Sequence, residues 1–390
     1  MSRGASAPAP RHYLDHASTS PVRPEALAAV VDWLGRTAGD PGRAHREGLT
    51  ARVAVEEARE AVAVLVGARP REVIFTSGAT ESIAAAVWGA AERGPHQVVN
   101  AVEHSAVRAS AAAAGGVGVV GVDRLGRVDP DEVAAAIGRS TVMVHIQTAN
   151  HEVGTLQPVE EIVARCRARG VLVHVDAAQS VGHVALDFRA LGADLVSLSA
   201  HKLGGPPGVG ALLVRRGLRL RPLLLGGDQE RARRAGFENV PAIVGFGAAS
   251  ATLAGDGDAR LRSEAAEQRR LTDRVLAAAP GLDGVMVYGD PVERAPHLVC
   301  LGIEGIEPQA VLLGLDHAGI AAHSGSACSS EAWEPSPVLA AMGLDAHRSL
   351  RVSVGWDSTD ADIDALLEAL PRVIAGLRAL GGAPTRAPEP

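Results

Sequence analysis

Between Glu72 and Val214, short apolar runs alternate with helix-patterned stretches, and this alternation constrains the fold more than any other feature of the chain. Glu72–Thr76, Gln97–Ala101, Val117–Val122, Val142–Gln147, Val171–Val175, Leu195–Ser199 and Ala211–Val214 read as strands, with helices such as Asp129–Ile137 and Val159–Arg169 between them. Strands that are apolar on both faces must be covered on both faces. The pattern therefore predicts an α/β fold, with a mostly parallel seven-stranded sheet between layers of helices. Sites in such sheets lie beyond the carboxyl ends of the strands. Four groups of chemistry-bearing residues fall there: Glu103–His104, Asn150–Glu152, Asp176 with Gln179, and Ser199–Lys202.

Earlier in the chain, Pro24–Leu34 and Thr50–Val66 carry apolar residues at helical spacing. Near Gly255–Asp258 the composition changes to a charged helix, Ala259–Leu276. It is followed by Gly284–Val287, His297–Gly302, Pro308–Ala318 and Ile320–His323, which read as a smaller α/β domain. The expected division is a large domain over 21–255 and a small one over 13–20 and 256–380, with loose ends at 1–12 and 381–390. A net charge of −7 leaves no basic footprint for nucleic acid. No apolar run is long enough to span a membrane, and Met1–Arg11 has no apolar stretch of the signal-peptide kind. Three cysteines, Cys166, Cys300 and Cys328, make no disulfide framework and fit a reducing, cytoplasmic setting. No metal site is expected.

Lys202 is the single lysine among 38 lysine and arginine residues. A lysine amine can lose its proton and attack a carbonyl, whereas a guanidinium cannot. Lys202 therefore reads as a Schiff-base lysine, with pyridoxal 5'-phosphate its commonest partner. Strand Glu72–Thr76 runs through Ser77-Gly78-Ala79-Thr80 into a helix. The N–H groups of such a helix start and the Thr80 hydroxyl can hold a phosphate, although a plain N-cap at Thr80 or Ser77 explains the same residues. Asp176 ends a strand, where a carboxylate can keep a pyridine nitrogen protonated or simply cap a turn. Gln179, one turn on, can reach a ring phenolate, and His104 can stack on a flat ring and move protons. Arg351, in an apolar strand, needs an anion: a substrate carboxylate or a buried ion-pair partner. Small residues flank Cys328 on both sides, which predicts an exposed loop thiol able to act as a nucleophile. Cys166 and Cys300 read as packing residues.

Together these residues resemble the cysteine desulfurases, fold-type-I pyridoxal-phosphate enzymes of the class V aminotransferase type. The likeness runs from Tyr13 to about Leu370. Its specific pieces are Phe75–Ser82, Glu103-His104, Glu152–Pro158, His174–Gly182, Ser199–Gly210 and Ser324–Ser330 followed by Glu334-Pro335-Ser336. The resemblance implies that Lys202 carries the cofactor and that Ala79, Thr80, Ser199 and His201 lie at its phosphate. Asp176 would pair with the ring nitrogen, Gln179 with the phenolate, and His104 would stack on the ring. Arg351 would bind the carboxylate of L-cysteine, with Asn150 and His151 beside the substrate. Cys328 would take the sulfur as a persulfide, leaving alanine.

A homodimer is also implied, and a sulfur-acceptor protein: an iron–sulfur scaffold or a thiolation enzyme. Alternatives on the same fold are a selenocysteine lyase, a C–S β-lyase or an enzyme of specialised metabolism; a non-catalytic sulfur-relay scaffold is a further one. Two positions depart from the family pattern. His151 stands where an asparagine is usual. Phe237 stands where a threonine usually reaches the partner subunit's phosphate, so weaker or rearranged phosphate binding is expected.

Overall fold

The path from Ser199 to Gly210 is too short for a helical crossover, which takes about a dozen residues or more. The strand that follows must therefore run back antiparallel. The computed structural model, which describes residues 11–36, 38–325 and 335–381, shows this return. In chain order the strands are β1 His12–Tyr13, β2 Val73–Thr76, β3 His96–Asn100, β4 Val117–Val120, β5 Thr141–Gln147, β6 Leu172–Asp176, β7 Leu195–Ser199, β8 Gly210–Val214, β9 Val285–Tyr288, β10 Leu298–Ile303, β11 Ile320–Ala321 and β12 Ser349–Ser353. The seven-stranded sheet has the order β2-β8-β7-β6-β5-β3-β4. Its pairs are parallel except those of β8, which runs antiparallel to both β2 and β7.

Val173, Val175, Val196 and Leu198 of the central strands are buried in one apolar cluster with Phe246 and Leu253 of the helix Val240–Ala278. Each such side chain contributes roughly 1.5–3 kcal/mol. Strand β4 ends at Val120 rather than Val122, where the glycine-containing turn begins.

A second core gathers Leu271, Leu301, Leu350, Val352 and Ile363, and Leu14 from the chain start. Its sheet is β12-β10-β9, and β1 pairs in parallel with β11. The helix Val240–Ala278 serves both cores. It breaks its helical path at Gly255–Asp258, with Asp256 and Asp258 at φ 50° and 63°, the place where the composition changes. Strand β12 carries Arg351, and His297 lies just before β10. Among the described residues, no helix is long and apolar enough to cross a membrane.

Candidate active site

The β7–β8 return brings Lys202 to the carboxyl edge of the sheet. Ser199 ends β7 and a single 3-10 turn, Ala200–Lys202, follows. The turn is held from outside by Arg23, whose Nε donates to the Leu203 carbonyl at 2.8 Å and whose backbone N–H donates to Gly204 O at 2.8 Å. The Arg23 guanidinium is paired with Glu264 at 2.5 Å. Gly204, at φ 88°, has no room for a Cβ, which would meet the Arg23 side chain at 2.5 Å. Only glycine meets both demands at this position.

The Lys202 Nζ donates to Gln179 Oε1 at 2.7 Å. Burial and then the positive charge of Arg351 bring the amine down to about 8, with Asp176 and Asp15 pulling the other way. Such an amine supplies the neutral nucleophile near neutral pH that an ordinary lysine does not. His201, beside it, is lowered to about 4 by burial and by Lys202. Its Nδ1 lies 3.2 Å from the Thr19 hydroxyl.

Asp176 closes β6 and accepts the Ala178 N–H on Oδ1 at 3.0 Å. His104 is the N-cap of the helix Ser105–Ala114, and its Nδ1 accepts from the Ala106 N–H at 3.1 Å. That bond puts the neutral ring's proton on Nε2. Burial holds His104 below the usual histidine range. The His151 ring meets His104 edge-on, centroids 5.0 Å apart at 70°. His151 is neutral for the same reason, burial first, with His104 and Lys202 adding to it. Its Nδ1 has no hydrogen-bond partner.

The helix Ala79–Ala91 begins after Gly78, at φ 157° and ψ 179°, and no side chain caps it. This backbone region is essentially open to glycine alone. The first N–H groups are left free to meet an anion, and Ala79 and Thr80 face the same cavity as Ser199 and His201. Across it, Arg351 is buried: Nη2 donates to Asp15 Oδ1 at 2.9 Å and Ser18 Oγ at 2.7 Å, and Nη1 donates to the His151 carbonyl at 2.8 Å.

Of the predicted residues that the structure describes, all but Asn150 line this one cavity of about 540 Å³. Asn150 is buried in the neighbouring turn. Its Nδ2 donates to Val102 O at 3.1 Å, and its Oδ1 accepts from the Glu152 and Val153 N–H groups, both at 2.9 Å. Its amide is thereby spent on shaping the turn that presents His151. Cys328 lies outside the described residues. Cys166 and Cys300 are buried free thiols, and burial pushes Cys166 up to about 11. Residue patterns did not point to Asp15 and Ser18 as partners of Arg351, or to His297, whose Nε2 lies 2.8 Å from Gln179 Nε2. Their contacts join distant segments, and no local spacing signals them.

The sequence matches the aminotransferase class-V family model over residues 12–366. It is 40% identical over 379 residues to the cysteine desulfurase IscS 1 of Archaeoglobus fulgidus, covering 94% of this chain and 98% of that protein. The chain belongs to the class-V aminotransferase family, in its cysteine desulfurase branch. A solved NifS-like protein superimposes with a TM-score of 0.87 at 31% identity, over 94% of this chain and all of the other (100%). Another solved structure, SspA in complex with cysteine, gives 0.78 at 29% identity over 89% of this chain and 100% of that one. The desulfurases of this family depend on pyridoxal 5'-phosphate. The donor set fits that group: a buried amine with a lowered proton affinity, a strand-end carboxylate, and an uncapped helix start sharing one cavity.

Proposed function

We propose that the protein removes sulfur from L-cysteine. The C–S bond of the amino acid breaks, its sulfur forms an S–S bond with the Cys328 thiolate, and L-alanine and a Cys328 persulfide result. The substrate Cβ is reduced, its C–S bond replaced by C–H, while its sulfur is oxidised to the outer sulfur of the persulfide, so the two changes balance and no outside oxidant is needed. The observation that carries this reading is that the Lys202 amine and the Arg351 guanidinium line one cavity together with His104 and Asp176. The amine, once neutral, is available for covalent attachment, and the guanidinium for a carboxylate.

Pyridoxal 5'-phosphate, when bound, supplies an electron sink that loosens the bonds to the substrate Cα and Cβ. Lys202 would hold it covalently and exchange a proton at Cα. Asp176 would hold the proton of the ring nitrogen, and Gln179 would face the phenolate. The free N–H groups from Ala79 onward, with Thr80, Ser199 and His201, would hold the phosphate. His104 offers Nε2 for stacking and proton transfer, because its Nδ1 is occupied by the Ala106 N–H. Arg351 would grip the substrate carboxylate and His151 would lie beside it.

The persulfide would pass to an acceptor protein, an iron–sulfur scaffold or a thiolation enzyme. The working unit would be a cytoplasmic homodimer. Phe237, 64% exposed, would face the second subunit. The division into 13–20 with 256–380 and 21–255 is supported by Leu14 packing among residues of the second core.

The test is the product balance with L-cysteine and a thiol reductant. Alanine and sulfide should form in equal amounts, and both should be lost in Cys328→Ala. Pyruvate and ammonia in their place would overturn the assignment in favour of β-elimination on the same fold.

A further inference from the structure

Two buried histidines lie behind Lys202, outside the cavity. His183 and His297 stack face to face, centroids 3.7 Å apart and planes 14° from parallel. His183 comes from the turn after β6. His297 comes from the lead into β10, so the second core delivers one ring and the large sheet the other. His297 Nε2 lies 2.8 Å from Gln179 Nε2, and Gln179 Oε1 accepts from Lys202 Nζ at 2.7 Å. His183 Nε2 lies 3.3 Å from the Lys202 carbonyl, and its Nδ1 lies 2.9 Å from Gln268 Oε1.

The hydrogen-bond roles follow from what each group can offer. A carbonyl only accepts, so His183 donates to Lys202 O from Nε2. Nδ1 of the neutral ring then carries a lone pair, so the Gln268 amide is assigned turned over, with its NH2 in place of Oε1 toward Nδ1; as placed, that NH2 has no partner among the described residues. A lone pair on His297 Nε2 takes one N–H of Gln179. That fixes which way the Gln179 amide points: its oxygen faces the Lys202 amine, and its second N–H stays free for an acceptor in the cavity. Without His297 the amide can turn over and present NH2 to an ammonium, which repels it.

We propose that His183 and His297 are a stacked pair of positioning residues that hold Lys202 at both ends, His183 at its carbonyl and His297, through Gln179, at its amine. The pair would set the direction and proton affinity of the amine before any cofactor arrives. This inference rests on the reading of Lys202 as the attachment residue.

Because Lys202 is the only lysine, trace labelling with acetic anhydride across pH reports a single side-chain amine. The full-length protein, freed of pyridoxal phosphate, is labelled and the Lys202 peptide quantified by mass spectrometry. His297→Phe keeps a stacking ring and removes the nitrogens. It is expected to increase the acid dissociation constant of Lys202 about tenfold, a shift of roughly one pH unit, as the ammonium loses its acceptor. Gln179→Leu should shift it equally, and the double variant no further.

A wild-type titration in folded His297→Phe, or effects that simply add in the double variant, would overturn the proposal. If His297→Phe does not fold, His297→Gln restores a hydrogen-bonding group of similar reach, and Lys202 must then titrate as in the wild type. A shift as large as that of Gln179→Leu would overturn the pairing. In the loaded wild-type protein, absence of the cofactor absorbance would refute the attachment role of Lys202 and leave the labelling result standing.

Discussion

Asp15 and Arg351 meet at 2.9 Å across 336 residues of chain, joining the start of the sequence to β12 at the cavity wall. The guanidinium is therefore partly neutralised before any substrate arrives. Its Nη atoms are satisfied by Asp15, Ser18 and the His151 carbonyl, while Nε has no partner among the described residues. Of the two partners that the sequence allows for Arg351, the buried ion-pair partner is present, and the guanidinium also lines the cavity.

Replacing Arg351 by Gln removes the charge and the planar fork. A charge-assisted carboxylate contact contributes about 1.5–3 kcal/mol. The expected result is a roughly 10- to 100-fold rise in KM for L-cysteine, with the cofactor absorbance retained. Steady-state kinetics alongside a spectrum of the same preparation check both. An unchanged KM would remove Arg351 from substrate binding and leave it the ion-pair role alone.

Lys202 titrates near pH 8 because burial and Arg351 disfavour its charge. Its reactive form is the neutral amine, which grows as pH rises and levels off above that value. Reattachment of pyridoxal phosphate to the stripped protein should therefore speed up about tenfold per pH unit below pH 8 and flatten above it. An arginine in its place stays charged, so Lys202→Arg should show no cofactor absorbance at any pH. Stopped-flow absorbance follows the first prediction and a static spectrum the second.

The strand ends were legible because a parallel sheet puts its chemistry at one edge: Asp176, Ser199 and Lys202 follow from the strand pattern alone. His104 was placed at the site, but its cap bond to Ala106, which fixes its tautomer, depends on backbone geometry. For Asn150 the backbone turn itself takes up the side chain. Its position beside His151 is right, yet the turn consumes its amide. Asp15 and His297 were not readable at all. Each reaches the site only after the second core has folded onto the first, and nothing in their flanking residues marks that closure.

Phe237 lines a cleft with Ser77 and Gly208, both of which also line the main cavity. A phenyl ring there offers no hydrogen bond. Phe237→Thr is expected to tighten pyridoxal phosphate by roughly 1 kcal/mol, about fivefold, through one new hydroxyl contact to phosphate across the proposed dimer. Equilibrium dialysis or a fluorescence titration of the stripped protein measures it. A dissociation constant unchanged by the substitution would mean that the phosphate is already satisfied from within the subunit.

Acid should unfold the protein early, and the reason lies in its sheet. His145 on β5 and His174 on β6 are direct neighbours, with Nδ1 atoms 3.0 Å apart. The outer nitrogens reach Gln97 Oε1 at 2.6 Å and Ser197 Oγ at 2.7 Å. Both rings are fully buried, and a proton added to either would break this chain. Burial lowers His145 to about 3 and His16 and His183 to about 4, and it holds His174 and His297 well below their ordinary value. These five groups bind protons in the unfolded chain from about pH 6.5 downward but not in the folded one. Each therefore takes away about 1.4 kcal/mol per pH unit as the pH falls. Glu103 and Glu152 oppose them. Burial raises them to about 8 and about 7, so they bind protons in the folded state first and add stability as pH falls toward 4.5. Burial lowers His151 and His201 as well, so the buried imidazoles outnumber these two carboxyls and the net effect is a loss of stability between pH 6 and pH 4.5. Urea unfolding at pH 7.5 and pH 5.0 should show a steep fall in midpoint, and His174→Asn should flatten it. A midpoint that stays level between these two pH values would mean that the buried imidazoles take up protons without unfolding.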